Sequence, residues 1–436
     1  MRITQISPSD IDGGAERTAL SLHTGFVNRN IDAQFLVGRM VKPQNVPGVS
    51  VLGRSVAERA RMRVVRSVLG EPKDVSQAKV IEGIATPARI RRWRNKCDDF
   101  SFDTARALEE AGALSRDILQ YHALFGHYLN LNDVVELSKT HPTVVKVHDD
   151  WVLTGKCTSR LGCDRYLDDC RNCERWPDHQ SNIAGNFAQK KELWKEARFH
   201  VVTPSQWMRD QLQGTIFEPA IISSRVIPNG INIETFQPAK TQADFDGQRE
   251  QLGIPSDAHV VLCGATSAKS AVKNVAFIAE VLKDINDNGD LRKSLAVVIL
   301  GGKPDTFDAG SIPVIALPFI DDPAQVAQVI QISDVYVHAA KAEAFGRALV
   351  EAQACGVPVV AADVGGVKET FIDNKTGILV PSDERGLMAR AIRQLLGDDD
   401  LRAQMGKKAR EHVVDNLSDG LMTDRYLAYY EEILDG

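Results

Sequence analysis

Apolar residues in this chain come in short unbroken runs. Val144-Val-Lys-Val147, Val260-Val-Leu-Cys-Gly264, Ala296-Val-Val-Ile-Leu-Gly301 and Val335-Tyr-Val-His338 are the clearest. Such runs suit strands of a parallel sheet covered on both faces, and the amphipathic stretches between them suit crossover helices. Near the start, Arg2-Ile-Thr-Gln-Ile6 is a further short strand, leading into a helix through Leu20 and Leu22. The pattern predicts two α/β units with parallel sheets. Several runs end in small residues, and the carboxyl ends of such strands are where open sheets bind ligands.

At 436 residues the chain is too long for one ordinary domain. We expect an N-terminal domain over 1–210, a second over 211–415 whose first strand follows Gly253-Ile-Pro255, and a terminal helix over 416–436. Asn229-Gly230 reads as a turn at the hinge between domains, with ligand contact as the alternative. The charge balance, 52 basic against 58 acidic residues for a net −6, argues against nucleic acid as a partner. No cationic-then-apolar leader and no apolar run of about 18 residues is visible, so the expectation is a cytoplasmic protein. One segment departs from the bland charge: 54–96 holds twelve Lys/Arg and four acids. Val56, Met62, Val65 and Leu69 give it an apolar face. It reads either as a solvated insertion or as a peripheral contact with an anionic membrane at the inner face.

Chemistry concentrates in Glu343-Ala-Phe-Gly-Arg-Ala-Leu-Val-Glu351, which follows the strand ending at His338. Gly346 separates Glu343, placed in a loop, from Glu351, placed on a helix starting near Phe345. Free N–H groups at that helix start suit phosphates and sugar hydroxyls, and the two acids suit vicinal hydroxyls. The alternative for both acids is helix capping or a surface ion pair.

With Glu-Ala-x-Ala-x-Gly-x-Pro-Val-Val following, from Glu351 to Val360, this stretch resembles the retaining glycosyltransferases of family 4, which have the GT-B fold. Asp12-Gly13-Gly14-Ala15, Val147-His148-Asp149, Thr203-Pro204-Ser205 and Ile227-Pro228-Asn229-Gly230 match further landmarks in the family's order. The resemblance implies two Rossmann-like domains facing a cleft, acceptor side first and nucleotide-sugar side second. It also implies that the terminal helix, with Tyr426, Tyr429 and Tyr430, crosses back to the first domain. Its catalytic set is His148 against the donor sugar, Lys273 on the leaving diphosphate and Glu343 near the sugar. Donor contacts fall to Gly13 and Gly14, to the backbone of Ala344, Phe345 and Gly346, and to Glu351 at the ribose. Two departures stand out. The family's arginine position near Ala265 is small, leaving Lys269 to substitute, and Ala339-Ala340 stands where relatives carry Pro-Ser.

The implied function moves a hexose from a nucleoside diphosphate sugar to a sugar or lipid-linked glycan hydroxyl in bacterial surface polysaccharide synthesis, with retention and no catalytic metal. A sugar phosphorylase or nucleotide-sugar epimerase on the same fold, or a non-catalytic binding scaffold, are the competing readings. A second signal lies in the cysteines, whose loop also resembles that of family members from bacterial exopolysaccharide and lipopolysaccharide clusters. Cys157, Cys163, Cys170 and Cys173 fall between Trp151 and Trp176, in a loop over 155–176 poor in aliphatic residues. Four thiols satisfy tetrahedral zinc, and a structural zinc would order the loop. Unligated or redox-paired thiols and an iron–sulfur cluster are the alternatives.

Overall fold

The computed structural model describes residues 1–436 other than 12, 43, 54–55, 71–76, 78–79, 82–83, 85–91, 93, 99, 101, 265–271, 288–290, 292 and 302–306; side chains are also set aside at 56–59, 242 and 244. Two units emerge: Met1–Ile227 with Thr423–Gly436, and Pro228–Met422.

The first unit is built on seven parallel strands: β1 (Arg2–Ser9), β2 (Asp32–Arg39), β3 (Val49–Val51), β4 (Ile118–Tyr121), β5 (Thr143–Lys146), β6 (Phe199–Thr203) and β7 (Ile221–Val226). Their order in the sheet is β3-β2-β1-β4-β5-β6-β7. Ile6 on β1 pairs with Leu36 on one side and Tyr121 on the other, so the strand order reverses between β1 and β4. Helix α1 (Gly14–Asn28) follows β1, α2 (Val56–Leu69) lies in the basic segment, and α3 (Gln180–Glu196) precedes β6. The C-terminal helix, Asp419–Asp435, closes this unit. Its Tyr430 hydroxyl donates to Gln120 Oε1 at 2.9 Å, its Asp424 pairs with Arg29 at 2.7 Å, and its Tyr429 and Ser223 hydroxyls lie 2.6 Å apart. The approach to α1 is close: a Cβ on Gly25 would stand 2.1 Å from the Thr423 hydroxyl.

The second unit has six parallel strands: β8 (His259–Gly264), β9 (Leu295–Leu300), β10 (Val314–Leu317), β11 (Val335–His338), β12 (Val359–Asp363) and β13 (Gly377–Pro381). The order β10-β9-β8-β11-β12-β13 again reverses once, between β8 and β11. Alternation along β8 explains why its run is wholly apolar. Val261 and Cys263 enter one core, with Ile278, Leu282 and Ile392, while Val260 and Leu262 enter the other, with Ile330 and Leu349. Helices α4 (Val275–Asp287) and α5 (Arg347–Ala354) cover opposite faces of this sheet.

Arg249, 6% exposed, cross-ties the edge of this unit. It donates to the Ile332 carbonyl (3.0 Å), the Ala258 carbonyl (2.9 Å) and Asp334 Oδ2 (2.9 Å), and that same carboxylate oxygen accepts from Val260 N–H at 2.7 Å. Where the chain leaves and re-enters the first unit, the two passages run side by side. Ile231 N–H donates to the Leu417 carbonyl and Asp419 N–H to the Ile231 carbonyl. A Cβ on Gly230 would lie 2.5 Å from the Asp419 Cα, so this close approach requires glycine.

Candidate active site

The reversal between β8 and β11 leaves a gap at their carboxyl ends, the usual ligand position in an open parallel sheet. Two loops meet there, and Lys341 N–H donates to the Val272 carbonyl at 2.8 Å, tying the turn after β11 to the one after β8. This brings Lys273 and Glu343 together: Lys273 Nζ donates to Glu343 Oε2 at 2.8 Å. His338, the last residue of β11, places Nε2 at 3.6 Å from the same oxygen. Burial alone would raise the Glu343 carboxyl, but Lys273 and His338 outweigh it and hold the group well below the ordinary range. The carboxylate is therefore ionised at neutral pH, 20% exposed and facing a cation.

Gly346, with φ 94°, caps the start of α5 without a side chain. The helix opens at Arg347 rather than near Phe345, because Phe345 is buried in the core and the left-handed glycine breaks the turn. Glu343 lies in the loop and Glu351 on the helix. Arg347 Nε donates to Glu351 Oε1 at 2.9 Å, an i,i+4 pair with 18% and 15% of the side chains exposed. The turn after β12 packs on the loop from behind. Gly366 N–H donates to the Glu343 carbonyl at 3.0 Å, and a Cβ on Gly365 would overlap that oxygen at 2.0 Å. Lys269 lies outside the described residues. Ala339 and Ala340 are buried, so the positions that depart from the family pattern are filled by core methyls.

His148, Gly13 and Gly14 belong to the first unit. Gly13 precedes α1 in extended backbone, and Gly14 is the helix's first residue, at the strand-order reversal of that sheet. His148 follows β5. Burial first, and Lys146 second, lower its pKa to about 3, so the imidazole is neutral. Its Nε2 stands 3.9 Å from Asp149 Oδ2. Three neighbours of the expected residues were not assigned from the sequence: His338, Arg347 and Asp149. Arg347 carries a signal, the i−4 spacing to Glu351; His338 and Asp149 carry only their places at strand ends.

The approach to the cysteine loop is fixed by α3. Buried Lys190 donates to the Trp151 carbonyl at 2.9 Å and lies 3.7 Å from that ring's centroid, and Trp194 Nε1 donates to the Val152 carbonyl. Burial lowers the Lys190 pKa to about 8. Gly155 N–H donates to Cys170 Sγ at 3.2 Å, and a Cβ on Gly155 would strike the Ile183 carbonyl. Cys170 and Cys173 are buried, Cys157 is half-buried and Cys163 exposed, all as free thiols. Among the described residues no group of three or more His, Cys, Asp or Glu is placed to hold a metal ion. Lys190 and Trp194 fix Trp151 and Val152, the residues that lead into the loop.

In the basic segment, Met62, Ile81 and Val65 pack together, whereas Val64, Val68 and Leu69 are exposed. The inward face thus keeps Met62 and Val65 but not Leu69. Among the described residues no helix is long and apolar enough to cross a membrane.

Residues 244–412 match the family model described as glycosyl transferases group 1. Among curated proteins, the D-inositol 3-phosphate glycosyltransferase of Corynebacterium diphtheriae is 33% identical over 202 residues, 44% of this chain and 46% of that protein. That of Corynebacterium jeikeium is 28% identical over 238 residues, 51% of this chain and 55% of that protein. The chain spans about half the length of the curated relatives it matches. Among solved structures, the HepE protein of Anabaena in complex with UDP-glucose superposes with a TM-score of 0.64 at 18% identity, covering 99% of this chain and 100% of that one. The two parallel Rossmann-like units are those of the GT-B fold, and the second carries, over residues 244–412, the match to the glycosyl transferases group 1.

Proposed function

We propose that the protein is a retaining glycosyltransferase of family 4 that moves a hexose from a nucleoside diphosphate sugar to a hydroxyl acceptor. The observation that carries this reading is the Lys273–Glu343 contact at the strand-order reversal, inside the segment that matches the group 1 family. In the reaction the bond from the anomeric carbon to the diphosphate oxygen breaks and a bond to the acceptor oxygen forms on the same face. The acceptor proton leaves with the departing phosphate oxygen, so no protein nucleophile is needed. Lys273 supplies positive charge where negative charge grows on the diphosphate. Glu343 keeps that ammonium in place and presents a carboxylate to the sugar hydroxyls. Glu351 accepts from the ribose, and the N–H groups at the start of α5 face the donor.

UDP is the first donor base to test, because HepE was solved with UDP-glucose. Thermal shift with UDP-, GDP- and ADP-sugars reads this directly, since donor binding stabilises the fold. The acceptor is placed among sugar or lipid-linked glycan hydroxyls of surface polysaccharides, with inositol phosphate tested beside them because the curated relatives are named for it. Exposed Val64, Val68 and Leu69 in the basic segment support a peripheral contact with anionic lipid.

Glu351→Ala should weaken nucleotide binding by roughly 10- to 150-fold, since a charge-assisted hydrogen bond contributes roughly 1.5–3 kcal/mol. Arg347 then loses Glu351 while keeping the Gly230 carbonyl, so the variant also reports whether the Arg347–Glu351 pair competes with ribose. An unchanged nucleotide Kd by calorimetry would remove Glu351 from the donor site.

The four-cysteine loop keeps its proposed role as a structural zinc site, supported by the donor set and by the Gly155 N–H to Cys170 sulfur bond. Cys170→Ser or Cys173→Ser should release zinc and lower thermal stability. Elemental analysis of chelator-free protein checks it. Less than about 0.2 zinc per chain with all four thiols alkylated in the native state excludes a filled tetrahedral site.

A further inference from the structure

In the first unit the neighbouring strands β4 and β5 lead into two imidazoles, His122, which is buried, and His148, which is 16% exposed with its Nδ1 buried. His122 is 1% exposed, and its Nε2 lies 2.8 Å from the amide nitrogen of Gln5. Because that amide nitrogen only donates, the His122 Nε2 accepts and the ring hydrogen sits on Nδ1. That Nδ1 has no hydrogen-bond partner among the described residues, and neither does Nδ1 of His148. Buried polar atoms are normally paired, so two orphans at adjacent strand ends mark a place built for something other than packing. Beside them a narrow recess is lined by Leu124, Phe125, Lys146, His148, Asp149 and Trp151.

Asp149 is the carboxylate in that recess. Its Oδ1 accepts the Trp151 N–H at 2.8 Å, which fixes the side chain. Its Oδ2 is 3.9 Å from His148 Nε2, too far for a hydrogen bond, and the side chain is 17% exposed. One oxygen is therefore anchored and the other presented. We propose that His148 and Asp149 form the binding site for the acceptor, with Asp149 Oδ2 receiving a hydrogen bond from a hydroxyl beside the attacking one and so orienting the acceptor, while the attacking hydroxyl keeps its own hydrogen for the departing phosphate oxygen. The ligand class is an alcohol hydroxyl of a sugar or cyclic polyol. The assignment rests on the proposed glycosyl transfer and adds to it the residue that holds the second substrate.

The groups around Asp149 set its pH response. Burial raises its pKa, to about 7; the Trp151 N–H lowers it, Asp150 raises it, Lys190 lowers it and Glu16 raises it, while His148, neutral, faces Oδ2. The ionised carboxylate accepts a hydroxyl hydrogen bond, and the protonated one loses most of that capacity. Transfer should thus rise by about tenfold between pH 6 and pH 8, following the ionised fraction of a group titrating near 7.

The test uses the full chain, whichever of UDP-, GDP- or ADP-glucose stabilises it most, and glucose, myo-inositol or inositol 3-phosphate as acceptors. Asp149→Asn is expected to lower kcat/KM for the acceptor by about 100-fold, with nucleotide-sugar affinity within twofold of wild type and the rise between pH 6 and pH 8 abolished. Asp149→Glu, which keeps the ionisation, should retain the rise and part of the rate even if the asparagine variant folds poorly. Transfer by Asp149→Asn within threefold of wild type, or the same pH rise in that variant, overturns the assignment. So does a wild type that binds a nucleotide sugar but releases nucleotide with none of the three acceptors. A wild type that binds no nucleotide sugar at all defeats the proposed function instead.

Discussion

Replacing Lys273 by alanine is expected to lower the single-turnover rate by about 10²–10³, with donor affinity changed by less than about tenfold. Negative charge on the diphosphate grows as the glycosidic bond breaks, so a fixed cation there stabilises the transition state more than the bound ground state. Geometry supports this division. Lys273 is already held by Glu343 at 2.8 Å, so the ammonium is positioned before any donor arrives. Lys273→Arg, which preserves charge on a different head group, should recover part of the rate. Equal losses in affinity and turnover would make Lys273 a binding residue only. A variant with wild-type single-turnover rate would take it out of the reaction.

Arg249→Met is expected to cost the second unit about 3 kcal/mol and to bring down the calorimetric transition in which that unit unfolds by several degrees. The arginine satisfies two carbonyls, Ala258 and Ile332, and one carboxylate oxygen of Asp334. Methionine fills most of the volume but removes the arginine's donors from both carbonyls and leaves Asp334 Oδ2 with the Val260 N–H alone. The loss falls at the lower end for a broken buried pair, because Arg402 Nε remains 3.4 Å from Asp334 Oδ1. A loss below about 1 kcal/mol would mean that water replaces the arginine at all three acceptors.

Much of the architecture could be read from the sequence because parallel strands buried on both faces show as unbroken apolar runs. The runs at Val144, Val260, Ala296 and Val335 all fall on strands, and the pattern yields two parallel sheets. Short edge strands such as Val49–Val51 give no comparable signal: three residues, half-buried or exposed, cannot be told from a loop. In the loop after β11 the spacing of Glu343, Gly346 and Glu351 separates loop acid from helix acid, since glycine alone tolerates the φ of 94°. What spacing does not reveal is which groups meet across the sheet. Lys273 closes on Glu343 only because the two loops flank one strand-order reversal. Arg249 is the extreme case, since its partners lie 9, 83 and 85 residues away and nothing near it in the chain announces them.

The paired passages at Ile231 and Ser418 bear on how such a chain can change over evolutionary time or in the laboratory. Residues 228–422 form one unit whose two ends are hydrogen-bonded to each other, while the first unit is completed by the chain's last residues. The second unit is therefore a cassette with a single seam. Recombination can replace it whole through two crossovers near that seam, exchanging everything its sheet carries while the host unit keeps its own. The constraint on such a chimera is small and local: glycine at 230, where the incoming and outgoing backbones leave no room for a side chain.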